Sequence, residues 1–280
     1  MSEPITHNAV FDDTARLLQA SDDIGPVFKQ AVSAHRDFAR LGSMTRWADK
    51  FSVALLTSFR SRWRRRQPND RLEPKLAFVL GWLSHRAADR QMKPVFRKQD
   101  PDSQQSPSDC SIYHDVFIFR EVYGGQPPLF APQPAALVEQ IHTLLQQSLL
   151  ELHTLIPDGA DPEAWINRLF DLQQTYRPTL DRYVAALTQP DPEKVRRYIT
   201  EGNFYDRTDP IIVGVRNPRL TGAQVQQAVT APARSHYAQA LQLAYRYWLA
   251  AHEFFTSNQS PETLQERLDI GRPGRDGQSV

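Results

Sequence analysis

The sequence predicts an all-α protein, a single domain of about ten helices. Apolar residues recur at helical spacing along most of the 280 residues, and helices and strands do not alternate. Prolines outnumber glycines by 21 to 12, and many stand where helices should begin or end. A hydrophobic fraction of 40% is enough for a sizeable core. We expect one helical domain over 1–270, with a helical C-terminal half over 133–270 and a disordered tail over 271–280.

Periodicity and proline positions delimit the elements. Thr6 or Asn8 is the expected N-cap of the first helix, with Asp12 and Asp13 in its first turn. Gly42 and Ser43 are the expected C-cap of the second. The predicted helices run from the N-terminal cap to about residue 20, then over 27–41, 47–63, 74–96, 113–123, 135–155, 162–176, 179–187, 192–199, 231–255 and from Pro261 onwards. The stretch 202–222, with its β-branched run Ile211 to Val215, is the least helical.

Bulk composition argues against several functional classes. The 33 basic and 32 acidic residues nearly cancel, so nothing in the overall charge calls for nucleic acid or an anionic membrane. The single cysteine, Cys110, excludes an internal disulfide framework and fits a reducing compartment. The N-terminus lacks the basic and apolar regions of a secretory signal, and no apolar run is long enough to span a bilayer. We therefore expect a cytoplasmic protein without a transmembrane segment.

The helix over 74–96 carries the strongest chemical signal. Apolar residues surround Gly81, which indicates a helix buried in the core. His85 and Asp89 are four residues apart and so lie on one helix face. An imidazole and a carboxylate in apolar surroundings are costly unless their polar atoms are satisfied. A metal ion would satisfy them, and so would an ordinary hydrogen bond between the two.

Further metal-ligand types lie in the first 125 residues. Besides His85 and Asp89, this part of the chain contains four such residues: His7, Asp49, His114 and Glu121. Neutral imidazole together with carboxylate oxygen suits zinc and other divalent first-row metals. Each of these residues also has an ordinary structural explanation. His7 could be a surface or capping histidine, and Asp49 could lie in the first turn of a helix, where the helix dipole favours it. His114 and Glu121 could lie on a solvated helix face.

Four segments of the chain, and their order along it, resemble the zinc-dependent phospholipase C family, which is similar to the phospholipase C/P1 nuclease group. The most specific is AFVLGWLSHRAAD, residues 77–89, which matches an apolar AFxLGxLSHxxxD helix. The others are Thr6-His7 near the start, LGSMTRWAD over 41–49, and a later helix with His114 and Glu121. The resemblance covers about residues 5–125.

The resemblance implies an all-helical core with up to three zinc ions and cleavage of a phosphoester by metal-activated water. The substrate would be a phosphoester or phospholipid-like molecule. It implies Asp49 as a bridging, catalytic carboxylate. The implied ligands are His7, Asp49, His85, Asp89, His114 and Glu121.

The chain also departs from the family pattern. Ala48 stands where a proline is usual. A histidine is usual near the proline that follows the HxxxD pair, whereas the run here is Gln91-Met92-Lys93-Pro94-Val95. His114 and Glu121 are seven residues apart rather than four, which places them about 10 Å apart along a helix. The alternative function is therefore a degenerate, non-catalytic relative that serves as a helical binding or structural protein. The hydrolase alternative implies one to three bound zinc ions, and the non-catalytic alternative implies none.

A basic run, RSRWRRR over 60–66, raises a third option. Arginines around Trp63 suit phosphate contact and base stacking. The run also ends a predicted helix, where cations are favoured by the helix dipole. In a nearly neutral chain we expect no nucleic-acid partner.

Overall fold

The computed structural model describes residues 4–44, 52–67, 70, 72–101, 107–125 and 180–278. Within these ranges the regular structure is helical throughout, and no β-strand is present there. The predicted all-α class is confirmed for this part of the chain. The predicted helices over 135–155 and 162–176 lie outside the described residues.

Twelve α-helices and one π-helical segment make up the described ranges. The π-helical segment, Arg196–Glu201, directly continues the short helix Pro192–Val195. In chain order the α-helices are α1 (Pro4–Ala20), α2 (Pro26–Ala34), α3 (Arg36–Met44), α4 (Ser52–Trp63), α5 (Leu72–Gln99), α6 (Asp109–Glu121), α7 (Leu180–Thr188), α8 (Pro192–Val195), α9 (Pro210–Arg216), α10 (Gly222–Thr230), α11 (His236–Thr256) and α12 (Pro261–Arg267).

The 28-residue helix α5 lies at the centre of the described structure. Every residue from Pro74 to Asp89 is buried. Helices α1, α2, α3, α4 and α11 all pack against it. On the α11 side, the indole N–H of Trp248 donates to the carbonyl oxygen of Leu80 at 2.7 Å. The stretch 76–83 of α5 has no polar side chain on any side, which is typical of a helix segment in such a central position.

Two glycines allow α3 and α5 to cross in direct backbone contact. A Cβ atom on Gly81 would lie 1.7 Å from the carbonyl oxygen of Ala39. A Cβ atom on Gly42 would lie 2.0 Å from the carbonyl oxygen of Phe78. Neither separation is possible for real atoms, so the crossing requires glycine at both positions. Gly42, predicted as a C-cap, lies inside α3.

The segment predicted as one helix over 27–41 is two helices. The break falls at His35, whose φ of −125° and ψ of 44° are not helical. The amide of His35 still donates to the carbonyl oxygen of Ala31, which closes α2. The chain then turns into α3, the helix that crosses α5.

The β-branched run after Pro210 is helical, in contrast to its low predicted helicity. Pro210 occupies the first turn of α9, where its fixed φ favours a helix and its missing N–H costs nothing. Ile211, Ile212 and Val215 are buried on one side. Tertiary burial here outweighs the weak intrinsic helix propensity of branched residues.

The buried acids of α1 are paired rather than placed at a helix start. Because α1 begins at Pro4, Asp12 and Asp13 lie in its middle. Asp13 accepts two hydrogen bonds from Arg216, at 2.7 and 2.6 Å, and one from the Tyr237 hydroxyl at 2.8 Å. Burial raises the pKa of Asp13 although Arg216 acts to lower it. These bonds join α1 to α9 and α11.

The C-terminal segment lies along α5. Arg90 donates to the carbonyl oxygens of Arg272 and Pro273 at 3.0 and 3.1 Å. Arg97 forms an ion pair with Asp276. A turn closes between Gly274 and Gln278, whose backbone groups are hydrogen-bonded. Residues 271–278, expected to be disordered, therefore have defined contacts in the described structure.

Candidate metal centre

Three predicted ligands meet between α1 and α5. Nε2 of His7 lies 3.3 Å from Oδ1 of Asp89, and Nε2 of His85 lies 3.5 Å from Oδ2. The two imidazole rings are in edge contact, with centroids 4.1 Å apart. All three residues are buried, and the candidate ligand atoms lie within 4.8 Å of one another. This group could hold a metal ion.

The position of His7 depends on the capping of α1 by α6. The first N–H groups of a helix have no partner inside it. The carboxylate of Asp115 accepts from the backbone N–H groups of Ile5 and Thr6, at 3.2 and 2.8 Å, and from the Thr6 hydroxyl at 2.5 Å. Burial outweighs these bonds and raises the pKa of Asp115 to about 6. The first turn of α1, and with it His7, is thereby fixed against α6.

The ring of His85 is oriented by α3. Its Nδ1 lies 3.0 Å from the carbonyl oxygen of Ser43. A carbonyl oxygen only accepts, so Nδ1 carries a proton and donates it. A hydrogen bond from the far nitrogen to a carbonyl is the usual way in which proteins orient a metal-binding histidine. Nε2 is thus directed at Asp89.

This arrangement leaves two acceptor atoms facing each other. In neutral His85, protonation of Nδ1 leaves a lone pair on Nε2. The atom opposite, Oδ2 of Asp89, is a carboxylate oxygen with lone pairs of its own. A separation of 3.5 Å is also longer than a good charge-assisted hydrogen bond. Either a second proton on the imidazole or a cation between the two groups makes this contact favourable.

The observed separations suit a metal ion. Ligands at about 2.0–2.1 Å from a tetrahedral zinc ion are about 3.3 Å from one another. The separations of His7 Nε2 from Oδ1 of Asp89, 3.3 Å, and of His85 Nε2 from Oδ2, 3.5 Å, are close to this value for a carboxylate that binds through both oxygens. Two imidazole nitrogens and one carboxylate form a donor set found in catalytic zinc sites, which keep a further position for water. The residues present therefore fit one divalent ion.

Lys93 adds a positive charge that the sequence-based site did not include. Its Nζ lies 3.0 Å from Oδ2 of Asp89, one helical turn further along α5. Burial acts to raise the pKa of Asp89, but the neighbouring His85, Lys93 and His7 side chains hold it well below its usual value of 3.8. Asp89 is therefore a carboxylate anion with three nitrogen groups within 3.5 Å of its oxygens.

The other predicted ligands are not part of this group. Asp49 lies outside the described residues, and its bridging and catalytic role stays a prediction. Glu121 lies at the end of α6, where it accepts hydrogen bonds from Arg207. His114 is buried elsewhere in the core, stacked on Phe204 with ring centroids 3.6 Å apart. The structure does not bring His114 and Glu121 to His7, His85 and Asp89.

His114 has a structural environment. Its Nε2 lies 3.1 Å from the carbonyl oxygen of Tyr198, which requires a proton on that nitrogen. Burial lowers the pKa of His114 to about 3, assisted by His236 and opposed by the bond to Tyr198. Cys110 lies 3.6 Å away, and burial raises the pKa of its thiol. At neutral pH both side chains are therefore uncharged core groups.

The neutral state of His114 should be visible in how the stability of the protein depends on pH. Its folded-state pKa is depressed relative to about 6.5 in the unfolded chain, so acidification adds a proton to the unfolded state only. The stabilisation is present above pH 6.5 and falls as pH drops, by about 1.4 kcal/mol per unit. For His114→Gln we expect lower stability at pH 7 than for wild type. Between pH 6.5 and 4 the variant should lose about 3 kcal/mol less stability than wild type loses. Urea unfolding at several pH values measures both slopes. Equal slopes would show that the folded and unfolded states protonate His114 alike, and would contradict a depressed pKa in the folded protein.

The basic run at the end of α4 is largely used within the fold. The guanidinium of Arg60 covers the ring of Phe254 at 3.7 Å and donates to the carbonyl oxygen of Gln259 at 2.7 Å. Arg66 lies over the ring of Trp63, 3.9 Å from its centroid. Arg62 pairs with Asp70 at 3.4 Å. These contacts favour the structural interpretation of the run.

Two residues that shape the centre were missed in the sequence. Lys93 is four residues beyond Asp89 and eight beyond His85, so it shares their helix face. That spacing was available as a signal. Asp115 had no comparable signal, because its partners at residues 5 and 6 are more than 100 positions away in the chain.

Comparisons with protein families, with curated proteins and with solved structures find no match to this chain. Within the described ranges, none of the helices has the length and apolar character needed to cross a membrane.

Proposed function

We propose that the chain is a metal-dependent hydrolase that cleaves a phosphoester, as the resemblance to zinc-dependent phospholipase C implies. The observation that carries the proposal is the buried convergence of His7, His85 and Asp89. Their separations suit one divalent ion, and zinc is the metal that this donor set favours. A phospholipid-like molecule is the substrate class that the resemblance suggests.

The residues of the chain have distinct parts in this proposal. His7 and His85 would each give an imidazole nitrogen, and Asp89 a carboxylate oxygen. Ser43 fixes the His85 ring through its carbonyl oxygen, and Asp115 fixes the helix turn that carries His7. A divalent ion held there would lower the pKa of a water and offset negative charge on phosphoryl oxygens. Asp49 is retained as a further predicted carboxylate.

Hydrolysis of a chromogenic phosphodiester tests the proposal. We expect the zinc-loaded protein to release p-nitrophenolate from bis(p-nitrophenyl) phosphate and to lose this activity after treatment with a chelator. His85→Ala should lower the rate at least about 100-fold, because loss of residues that merely orient ligands already costs about 10–100-fold. His35→Ala is the matched control, since His35 is at the break between α2 and α3 and contacts Phe38. Equal rates for wild type and His85→Ala would contradict the proposal.

A second candidate function is supported by one observation. The ammonium of Lys93 already gives Asp89 a positive partner at 3.0 Å. A protein that keeps the helices and uses this lysine in place of a metal would be a non-catalytic binding or structural relative. Such a protein would show neither zinc uptake nor hydrolysis of bis(p-nitrophenyl) phosphate.

A further inference from the structure

Lys93 and a metal ion have overlapping positions on Asp89. We propose that the Lys93 ammonium is a built-in competitor of the metal, and that a divalent ion enters the centre by displacing it. Lys93 would thereby set the metal affinity of the site. This inference rests on the proposed function, because it takes His7, His85 and Asp89 as the ligands.

The first support is the contact itself. Lys93 Nζ lies 3.0 Å from Oδ2 of Asp89, whose side chain is only 7% exposed. A buried carboxylate without a cation is strongly unfavourable, so a positive partner is needed when no metal is bound. Lys93 supplies that charge from one turn along the same helix. In the absence of metal the centre is thus held together by an internal ion pair.

The second support is that one oxygen, Oδ2 of Asp89, would face both the Lys93 ammonium and the divalent ion. Oδ2 is also the atom opposite Nε2 of His85, at 3.5 Å. A zinc ion bound to Oδ2 at about 2.1 Å would lie within about 5 Å of the ammonium. A doubly charged ion and an ammonium at that distance repel each other strongly in a poorly solvated place. The two cations therefore bind Asp89 in competition.

The third support is that the Lys93 side chain can move from Asp89 into solvent. Its side chain is 17% exposed, more than that of either histidine of the centre. The lysine stem has four carbons and many rotamers, and an ammonium is well solvated by water. By contrast, Arg86 and Arg90 of the same helix donate to backbone carbonyls of the C-terminal segment. Lys93 can leave Asp89 for solvent without breaking those helix contacts.

Zinc affinity of a lysine variant gives the first test. Lys93→Met keeps the length of the stem and removes the charge, while Lys98→Met removes an exposed lysine of the same helix as a matched control. Dissociation constants are measured by competition with a chromogenic zinc chelator, with circular dichroism as a check of folding. We expect Lys93→Met to bind zinc at least about tenfold more tightly than wild type, a difference of about 1.4 kcal/mol, and Lys98→Met to match wild type.

The outcomes separate this inference from the proposed function. Zinc binding of equal or lower affinity in a folded Lys93→Met variant would overturn the competition while leaving the metal centre intact. Failure of both wild type and Lys93→Met to bind zinc would overturn the metal centre, and the competition with it.

Amine labelling of the unmodified protein gives an independent test. Wild type is treated with acetic anhydride with and without saturating zinc, and acetylation of each lysine is measured by mass spectrometry. Displacement predicts that labelling of Lys93 rises several-fold with zinc, while labelling of Lys98 stays constant. Unchanged or reduced labelling of Lys93 in the zinc-saturated protein would contradict displacement, whatever the behaviour of the variants.

Discussion

Replacing Gly81 with alanine is expected to destabilise the protein by about 3 kcal/mol or more. The added Cβ would lie 1.7 Å from the carbonyl oxygen of Ala39, a backbone atom that cannot rotate away. Helices α3 and α5 would have to separate, and overpacking of a tight core contact costs about 1–3 kcal/mol even when side chains can adjust. The movement would also withdraw the Ser43 carbonyl from His85. Urea unfolding followed by circular dichroism measures the loss.

Gly214→Ala is the matched control for this prediction. Gly214 also lies inside a helix, α9, but its Cβ would meet the Cβ of Ala228 at 3.5 Å, an ordinary contact. Alanine is favoured over glycine in helices by up to about 1 kcal/mol. We therefore expect Gly214→Ala to be neutral or stabilising. A similar effect of the two substitutions would show that the close helix crossing is not what Gly81 provides.

The second large effect is expected from Asp89→Asn. Asparagine has nearly the same shape as aspartate but no charge, so Lys93 would lose its ionic partner and the histidines their anionic neighbour. Breaking a fully buried pair costs about 3–5 kcal/mol, and because Lys93 is partly exposed we expect about 2–4 kcal/mol in metal-free protein. Asp22→Asn, at an exposed site, should change stability by no more than about 0.5 kcal/mol. Equal stabilities of Asp89→Asn and wild type would contradict the ion pair.

The sequence was most informative where a single helix carries the pattern. The spacing of four between His85 and Asp89 places them on one face in any α-helix, and the apolar surroundings of Gly81 indicate burial. Both features depend only on local periodicity, and both are present in α5. His7 could be added to the pair only through the resemblance, since nothing local to residue 7 indicates its neighbours.

Features that depend on distant segments were beyond the sequence. The bond from His85 to Ser43 and the cap from Asp115 on α1 join residues 42 and more than 100 positions apart. The stacking of His114 on Phe204 likewise depends on how α6 meets the chain after the π-helical segment. Histidine and glutamate on one predicted helix therefore indicated a site where the structure has a core histidine and a surface ion pair with Arg207. In α9, burial of a β-branched face reversed the local preference.

A zinc titration tests the metal centre most directly. Protein stripped with a chelator is titrated with zinc in a calorimeter, and bound metal is counted by elemental analysis after gel filtration. We expect wild type to bind one equivalent through His7, His85 and Asp89, and Asp89→Asn to bind none at the same concentrations. Retention of less than about 0.1 equivalent by wild type, or equal zinc uptake by wild type and Asp89→Asn, would contradict a metal centre at these residues.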